Sequence, residues 1–204
     1  MVIDSNETPR HTSDQHREFE KLFVNVRDFP VPGFNFPDIT PILERSASHF
    51  RAVVDMLCLP YLARPPEYLL CIESFGYLFG SAMAYRLHSK IVLARRSGRL
   101  LPRPNETVDY SMCYDNHRQL AIHRDAIQPG APVLVVDDFL ASGGTLKAAL
   151  ALLGTLRADA IGAAFVAELI EMRAREDPSL RDLETHSLFK MVFDATTASW
   201  RIVS

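Results

Sequence analysis

An α/β fold with a central, mostly parallel sheet flanked by helices is predicted by three observations. Short apolar runs recur along the chain, at Tyr68–Ile72, Ile91–Ala94, Val133–Val136 and Ala160–Leu169. Segments of helical periodicity alternate with them, the pattern of strands buried on both faces by crossover helices. One of the runs, moreover, feeds straight into a Gly-Gly turn and a helix start.

Taken in order, residues 1–13 are polar and read as a disordered arm. Phe19, Leu22, Phe23 and Val26 recur at helical spacing, which predicts an amphipathic helix ending near Arg27. Asp28-Phe29-Pro30-Val31-Pro32-Gly33 forces a turn. Phe34–Thr40 reads as a short strand or hairpin closed by Pro41. A longer helix carries Phe50, Val53, Val54 and Leu57 on one face and ends before Pro60. After the strand at 68–72, a helix is expected over Gly76–Leu87, with Leu78, Ala82 and Tyr85 turned inward. Beyond the strand at 91–94, the long stretch 95–130 breaks the rhythm, and an insertion of that length in an α/β domain reads as a flap or lid. The strand at 133–136, a helix over Gly144–Leu156 and the strand at 160–169 complete the alternation, and Leu188–Phe193 suggests a final strand. The expected organisation is an arm over 1–13 and a single domain over 14–204.

The bulk properties narrow the function. With 204 residues, 48% hydrophobic and 23% charged, the chain can bury one sizeable core without disulfides or metal. A net charge of −3 and a pI near 6.2 give no basic footprint for nucleic acid. Cys58, Cys71 and Cys113 form no CxxC pair, and their odd number does not suit a disulfide framework. No stretch approaches the ~20 apolar residues of a membrane span. The expectation is a soluble, cytoplasmic protein that binds neither nucleic acid nor membrane.

The chemistry concentrates in Val133-Leu134-Val135-Val136-Asp137-Asp138-Phe139-Leu140-Ala141-Ser142-Gly143-Gly144-Thr145. A buried strand delivers two adjacent carboxylates, then a small-residue loop, then a helix. Gly143 and Gly144 let the backbone approach an anion closely, and the helix start aims free N–H groups and its positive dipole end at it. Ser142 and Thr145 add hydroxyl donors. The acids lie upstream, placed for sugar hydroxyls or a metal. Such a loop suits a sugar phosphate. The alternative, an ordinary Gly-rich turn, explains a lone Gly-Gly but not the whole run, which lacks both GxxxxGK and GxGxxG.

This run resembles the phosphoribosyl pyrophosphate motif of type I phosphoribosyltransferases, and the rest of the chain is similar to the adenine phosphoribosyltransferase family. Residues 28–41 resemble its N-terminal hood, for which 14–41 is taken as the segment. Glu73-Ser74-Phe75-Gly76-Tyr77-Leu78-Phe79-Gly80 resembles its pyrophosphate loop, and Arg95-Arg96-Ser97-Gly98-Arg99-Leu100 the basic stretch before its flexible β-hairpin loop, here 95–130. Tyr110–Tyr114 and Ile122–Ile127 resemble the two arms of that loop. The likeness covers roughly residues 20–175 in the right order.

The resemblance implies the type I phosphoribosyltransferase fold and transfer of a phosphoribosyl group from phosphoribosyl pyrophosphate to adenine or a related purine-like base. Pyrophosphate is released with Mg²⁺ as cofactor, in a homodimer serving purine salvage. It implies that Asp137 and Asp138 hold the ribose hydroxyls, act in catalysis and position the metal. Ala141, Ser142, Gly143, Gly144 and Thr145 take the 5-phosphate, and Ser74 with the backbone of Phe75 and Gly76 lines the pyrophosphate site. Arg95 and Arg96 are candidates for pyrophosphate charge, with Arg99 reaching in from the flap; the alternative for all three is a solvated basic loop. Phe34, Asn35 and Phe139 face the base, core filling being the alternative for Phe139. The family's pyrophosphate loop commonly carries a cis peptide; here it would fall at Glu73-Ser74, and the sequence alone does not show whether it is kept.

Three positions depart from the family pattern. Phe75 stands for an arginine, Pro37 for a lysine or arginine, and Cys113 for the glutamate that is the candidate proton-transfer partner of the base, which makes Cys113 a catalytic candidate with space filling as its alternative. An extra residue near Asn116-His117 lengthens the loop. Two rival readings follow: a non-catalytic nucleotide-binding homologue, or a transferase specialised for an unusual heterocycle.

Overall fold

The computed structural model describes residues 18–112 and 115–203. The expected arm at 1–13 lies outside the described residues, as do Cys113 and Tyr114.

The sheet order is set by where the apolar runs can hide. β3 (Tyr68–Ile72) is buried along its whole length, so it needs neighbours on both edges and cover on both faces. It pairs in parallel with β4 (Lys90–Arg96) on one side and with β7 (Pro132–Leu140) on the other. β7 pairs in parallel with β8 (Asp159–Leu169), and β8 with β9 (Thr185–Asp194). β5 (Asn105–Met112) and β6 (Asp115–His123) form an antiparallel hairpin that joins the sheet through Arg95↔Ala121 and Arg96↔Leu120. β10 (Ser199–Val203) closes the far edge antiparallel to β9. The eight strands run in the order β10-β9-β8-β7-β3-β4-β6-β5.

Alternation along the strands sorts side chains into two cores. Leu69, Cys71, Leu134 and Val136 face α2 (Ala47–Cys58) and α3 (Phe75–Leu87). Leu70, Ile72, Val133 and Val135 face the opposite way, toward α4 (Gly144–Thr155) and the hairpin. Ser46 caps α2 by accepting the Ser48 N–H at 3.2 Å. Two small strands, β1 (Val24–Val26) and β2 (Phe36–Asp38), pair antiparallel beneath the turn at 28–33 and stand over one end of the main sheet. A short helix, α1 (Thr40–Glu44), follows with Pro41 in its first turn.

Three expectations need correction. The N-terminal helix stops by Glu20, and Val24–Val26 is extended, because Asn25 and its neighbours gain a ladder with β2 that a helix cannot offer. The inward face of α3 is Gly76, Phe79, Gly80, Met83, Ala84 and Leu87, whereas Leu78 is 46% and Tyr85 88% exposed. The strand containing Leu188–Phe193 is not the last: Trp200 and its neighbours add β10, whose indole N–H donates to the Asn35 carbonyl at 2.7 Å.

Candidate active site

The site grows out of the carboxyl end of β7. Val133–Val136 are fully buried, so the strand is fixed where it delivers Asp137 and Asp138. Asp137 is only 8% exposed, and its Oδ1 accepts the Asp138 N–H at 3.0 Å. Burial drives the Asp137 carboxyl well above the ordinary carboxylate range, with the neighbouring Asp138 charge adding to it. Burial raises Asp138 as well. The chain then passes Ala141 and Ser142 to Gly143, whose φ of +80° is the left-handed turn that starts α4.

A second loop is pressed against this one. The Glu73-Ser74 peptide is cis, and the Gly76 N–H donates to the Asp137 carboxylate. A Cβ on Gly76 would lie 2.6 Å from the Val136 carbonyl oxygen, so only glycine lets α3 begin this close to β7. Glu73, with a side chain 9% exposed, gathers three guanidinium groups: Arg95 Nε at 3.8 Å, Arg96 Nη2 at 3.5 Å and Arg99 Nη1 at 3.8 Å. Its Oε2 also accepts the Arg96 backbone N–H at 2.9 Å.

Aromatic rings form the third wall. Phe139 meets Phe36 edge-on at 5.4 Å and Phe23 at 6.5 Å, and Phe36 meets Phe34 at 6.3 Å. The hairpin forms the fourth, with Tyr110, Arg118 and Leu120 turned inward. Together these walls enclose a cavity of about 250 Å³.

Of the residues singled out from the sequence, Asp137, Asp138, Phe139, Ala141, Ser142, Gly143, Gly144, Thr145, Ser74, Phe75, Arg96 and Phe34 line this cavity. Four do not. The Asn35 Oδ1 accepts the Asp28 N–H and its carbonyl takes the Trp200 indole, so it braces the hood turn. Gly76 sits behind Asp137. Arg95 and Arg99 are turned to Glu73. Cys113 lies outside the described residues. Phe75 does occupy the cavity wall where the family pattern has an arginine, while Pro37 is buried within β2 and faces elsewhere. Glu73, Phe36, Tyr110 and Arg118 line the cavity without having been selected from the sequence. Glu73, Phe36 and Tyr110 lie inside segments that carry the family resemblance, which could have flagged them; Arg118 has no such signal.

Two acids at a strand end, a helix start led by Gly143 and Gly144, and a basic loop beside an aromatic wall form the arrangement that a resemblance to phosphoribosyltransferases implies. Residues 61–198 match the family model of the phosphoribosyl transferase domain, and the chain belongs to that family. Within it, the chain belongs among the adenine phosphoribosyltransferases. It is 40% identical to the adenine phosphoribosyltransferase of Roseiflexus castenholzii, over 84% of this chain and 95% of that one. Identity to the adenine phosphoribosyltransferase of Carboxydothermus hydrogenoformans is 39%, over 78% and 92%. Among solved structures, the adenine phosphoribosyltransferase of Thermoanaerobacter pseudethanolicus superposes with a TM-score of 0.78 at 33% identity, covering 85% of this chain and 98% of that one. The Saccharomyces cerevisiae adenine phosphoribosyltransferase, in complex with D-2,5-dideoxy-2,5-imino-altritol 1,6-bisphosphate and adenine, gives 0.76 at 28%, covering 87% and 99%.

Proposed function

We propose that this protein transfers the 5-phosphoribosyl group of phosphoribosyl pyrophosphate to adenine, forming AMP and pyrophosphate in purine salvage. The observation that carries the reading is the convergence in one cavity of the Asp137–Asp138 pair, the Ala141–Thr145 loop and the Phe34–Phe36–Phe139 wall. The anomeric C–O bond breaks with its electron pair leaving on pyrophosphate, a ring nitrogen of the base forms the new C–N bond, and the imidazole proton that the base loses passes to solvent. Asp137 and Asp138 bind the ribose hydroxyls and face the positive charge that builds on the sugar. The loop and the start of α4 hold the 5-phosphate. Ser74 and the Phe75–Gly76 backbone line the pyrophosphate side, with Arg96 as its cation. The aromatic wall holds the base flat, and the hairpin excludes water from the sugar cation.

The acid pair also fits Mg²⁺. Two neighbouring carboxylates that burial pushes toward the protonated form are a site short of positive charge, and Mg²⁺ binds through one or two carboxylates plus substrate phosphates. When bound, it neutralises charge on the leaving pyrophosphate.

A cytoplasmic location and a homodimer belong to the same proposal. No helix among the described residues is long and apolar enough to cross a membrane, and Cys58 and Cys71 are free thiols. Ile91 and Leu93 lie in register with Leu69 and Cys71, hence on the α3 side of the sheet, and are exposed there along with Leu78 and Tyr85. An apolar face of that kind suits a second copy of the chain.

The test is direct: purified protein with phosphoribosyl pyrophosphate, Mg²⁺ and a panel of bases, following pyrophosphate release. Turnover fastest with adenine supports the reading. Turnover only with another heterocycle, or tight AMP binding with no turnover on any base, overturns it.

A further inference from the structure

We propose that Arg118, carried on the β5–β6 hairpin and aimed by Tyr110, binds the leaving pyrophosphate. The inference rests on the transferase reading above and assigns a residue to its most highly charged ligand.

The charges around the cavity make the case. Three of the wall residues are acids, Glu73, Asp137 and Asp138, and two are cations, Arg96 and Arg118. Arg96 shares the Glu73 carboxylate with Arg95 and Arg99. Phe75 presents an apolar ring on the same wall. Pyrophosphate gains negative charge as the C–O bond breaks, and a guanidinium suits phosphate oxygens because its N–H groups form a planar fork.

Arg118 is placed for this by register. It lies directly opposite Tyr110 in the hairpin ladder, and the two side chains are hydrogen-bonded. Two residues along the same strand face, Leu120 is 1% exposed and anchors the strand in the core beneath α4. Arg118 therefore stands one step beyond a fixed point, toward the hairpin tip. Burial raises the Tyr110 phenol, which remains protonated and able to orient the guanidinium; Asp137 and Arg96 are the other charges that reach it. Neither residue transfers a proton: the electron pair of the broken bond stays on pyrophosphate, and Arg118 meets that charge.

The experiment is calorimetry on the full chain with two probes, Mg²⁺-pyrophosphate and ribose 5-phosphate, for wild type, Arg118→Gln, Arg118→Lys and Tyr110→Phe. Arg118→Gln should weaken pyrophosphate binding by roughly tenfold to a hundredfold while ribose 5-phosphate stays within about twofold. Arg118→Lys should recover part of the loss. Tyr110→Phe should raise the KM for phosphoribosyl pyrophosphate and leave that for the base unchanged, which a merely structural role would not do. Equal losses for both probes with a lowered melting temperature, or no loss with Arg118→Gln, overturn the assignment alone. A wild type that binds neither probe overturns the transferase reading and the assignment together.

Discussion

The carbonyl oxygen of Ser111, on the hairpin, occupies the place where a side chain on Gly144 would begin. The start of α4 and the hairpin therefore touch backbone to backbone. Gly144→Ala should push the hairpin off α4 without disturbing the buried strands. We expect kcat/KM to fall by at least about tenfold, and hydrogen exchange to rise over residues 105–112, with the melting temperature little changed. Unchanged exchange in the hairpin would show that the contact does not hold it.

Asp137 is buried at a cost to stability. Its carboxyl is buried beside that of Asp138, and both are pushed toward the protonated form. Asp137→Asn removes one of the two charges and keeps the size of the side chain. The variant should melt roughly 2–4 °C higher, for about 1 kcal/mol gained, while turnover falls by about a hundredfold or more. A lower melting point would show that the ionised pair stabilises the fold.

Cys58 and Cys71 should be chemically silent in the native state. Burial pushes their thiols up to about 11 and about 12, and the Cys71 Sγ is packed against Gly80. In Cys113→Ser protein near pH 8, a thiol reagent should label neither cysteine until denaturant is added. Fast labelling of native protein would mean that α3 opens from the sheet far more often than its packing suggests.

His186 sets an acid limit on stability. Burial holds its imidazole below the ordinary 6.5; Arg175 pushes the same way, and the Met56 backbone and Glu184 oppose. The unfolded chain then takes up a proton before the native one does. The contribution to stability is complete above about 6.5 and is lost as the pH falls through that value. Melting temperature should decline between about pH 7.5 and pH 5.5, and less so in His186→Gln. Identical slopes in the two proteins would remove His186 from the account.

The central strands were legible because each is a compact apolar run between breakers, and the two acids and glycines because they directly follow one. α3 was misread for a physical reason. It carries large apolar residues nearly all round, Leu78 and Tyr85 as well as Phe79 and Met83, so periodicity could not choose the buried side. β1 is three residues long and shares Val26 with a helical pattern, which only pairing with β2 resolves. In the site, Tyr110 and Arg118 are ordinary alternating residues of a hairpin. What distinguishes them is the register that opposes them and the attachment of β6 to Arg95 and Arg96 of β4. Neither relation is written in a local stretch of sequence.

The Trp200 clasp has a consequence for how the molecule is made. The Trp200 N–H donates to the Asn25 side chain at 2.6 Å and its indole to the Asn35 carbonyl, across 175 and 165 residues. During synthesis the loop at 141–145 leaves the ribosome well before this tryptophan does, so the turn that carries Phe34 and Asn35 goes without its brace until residue 200 has emerged.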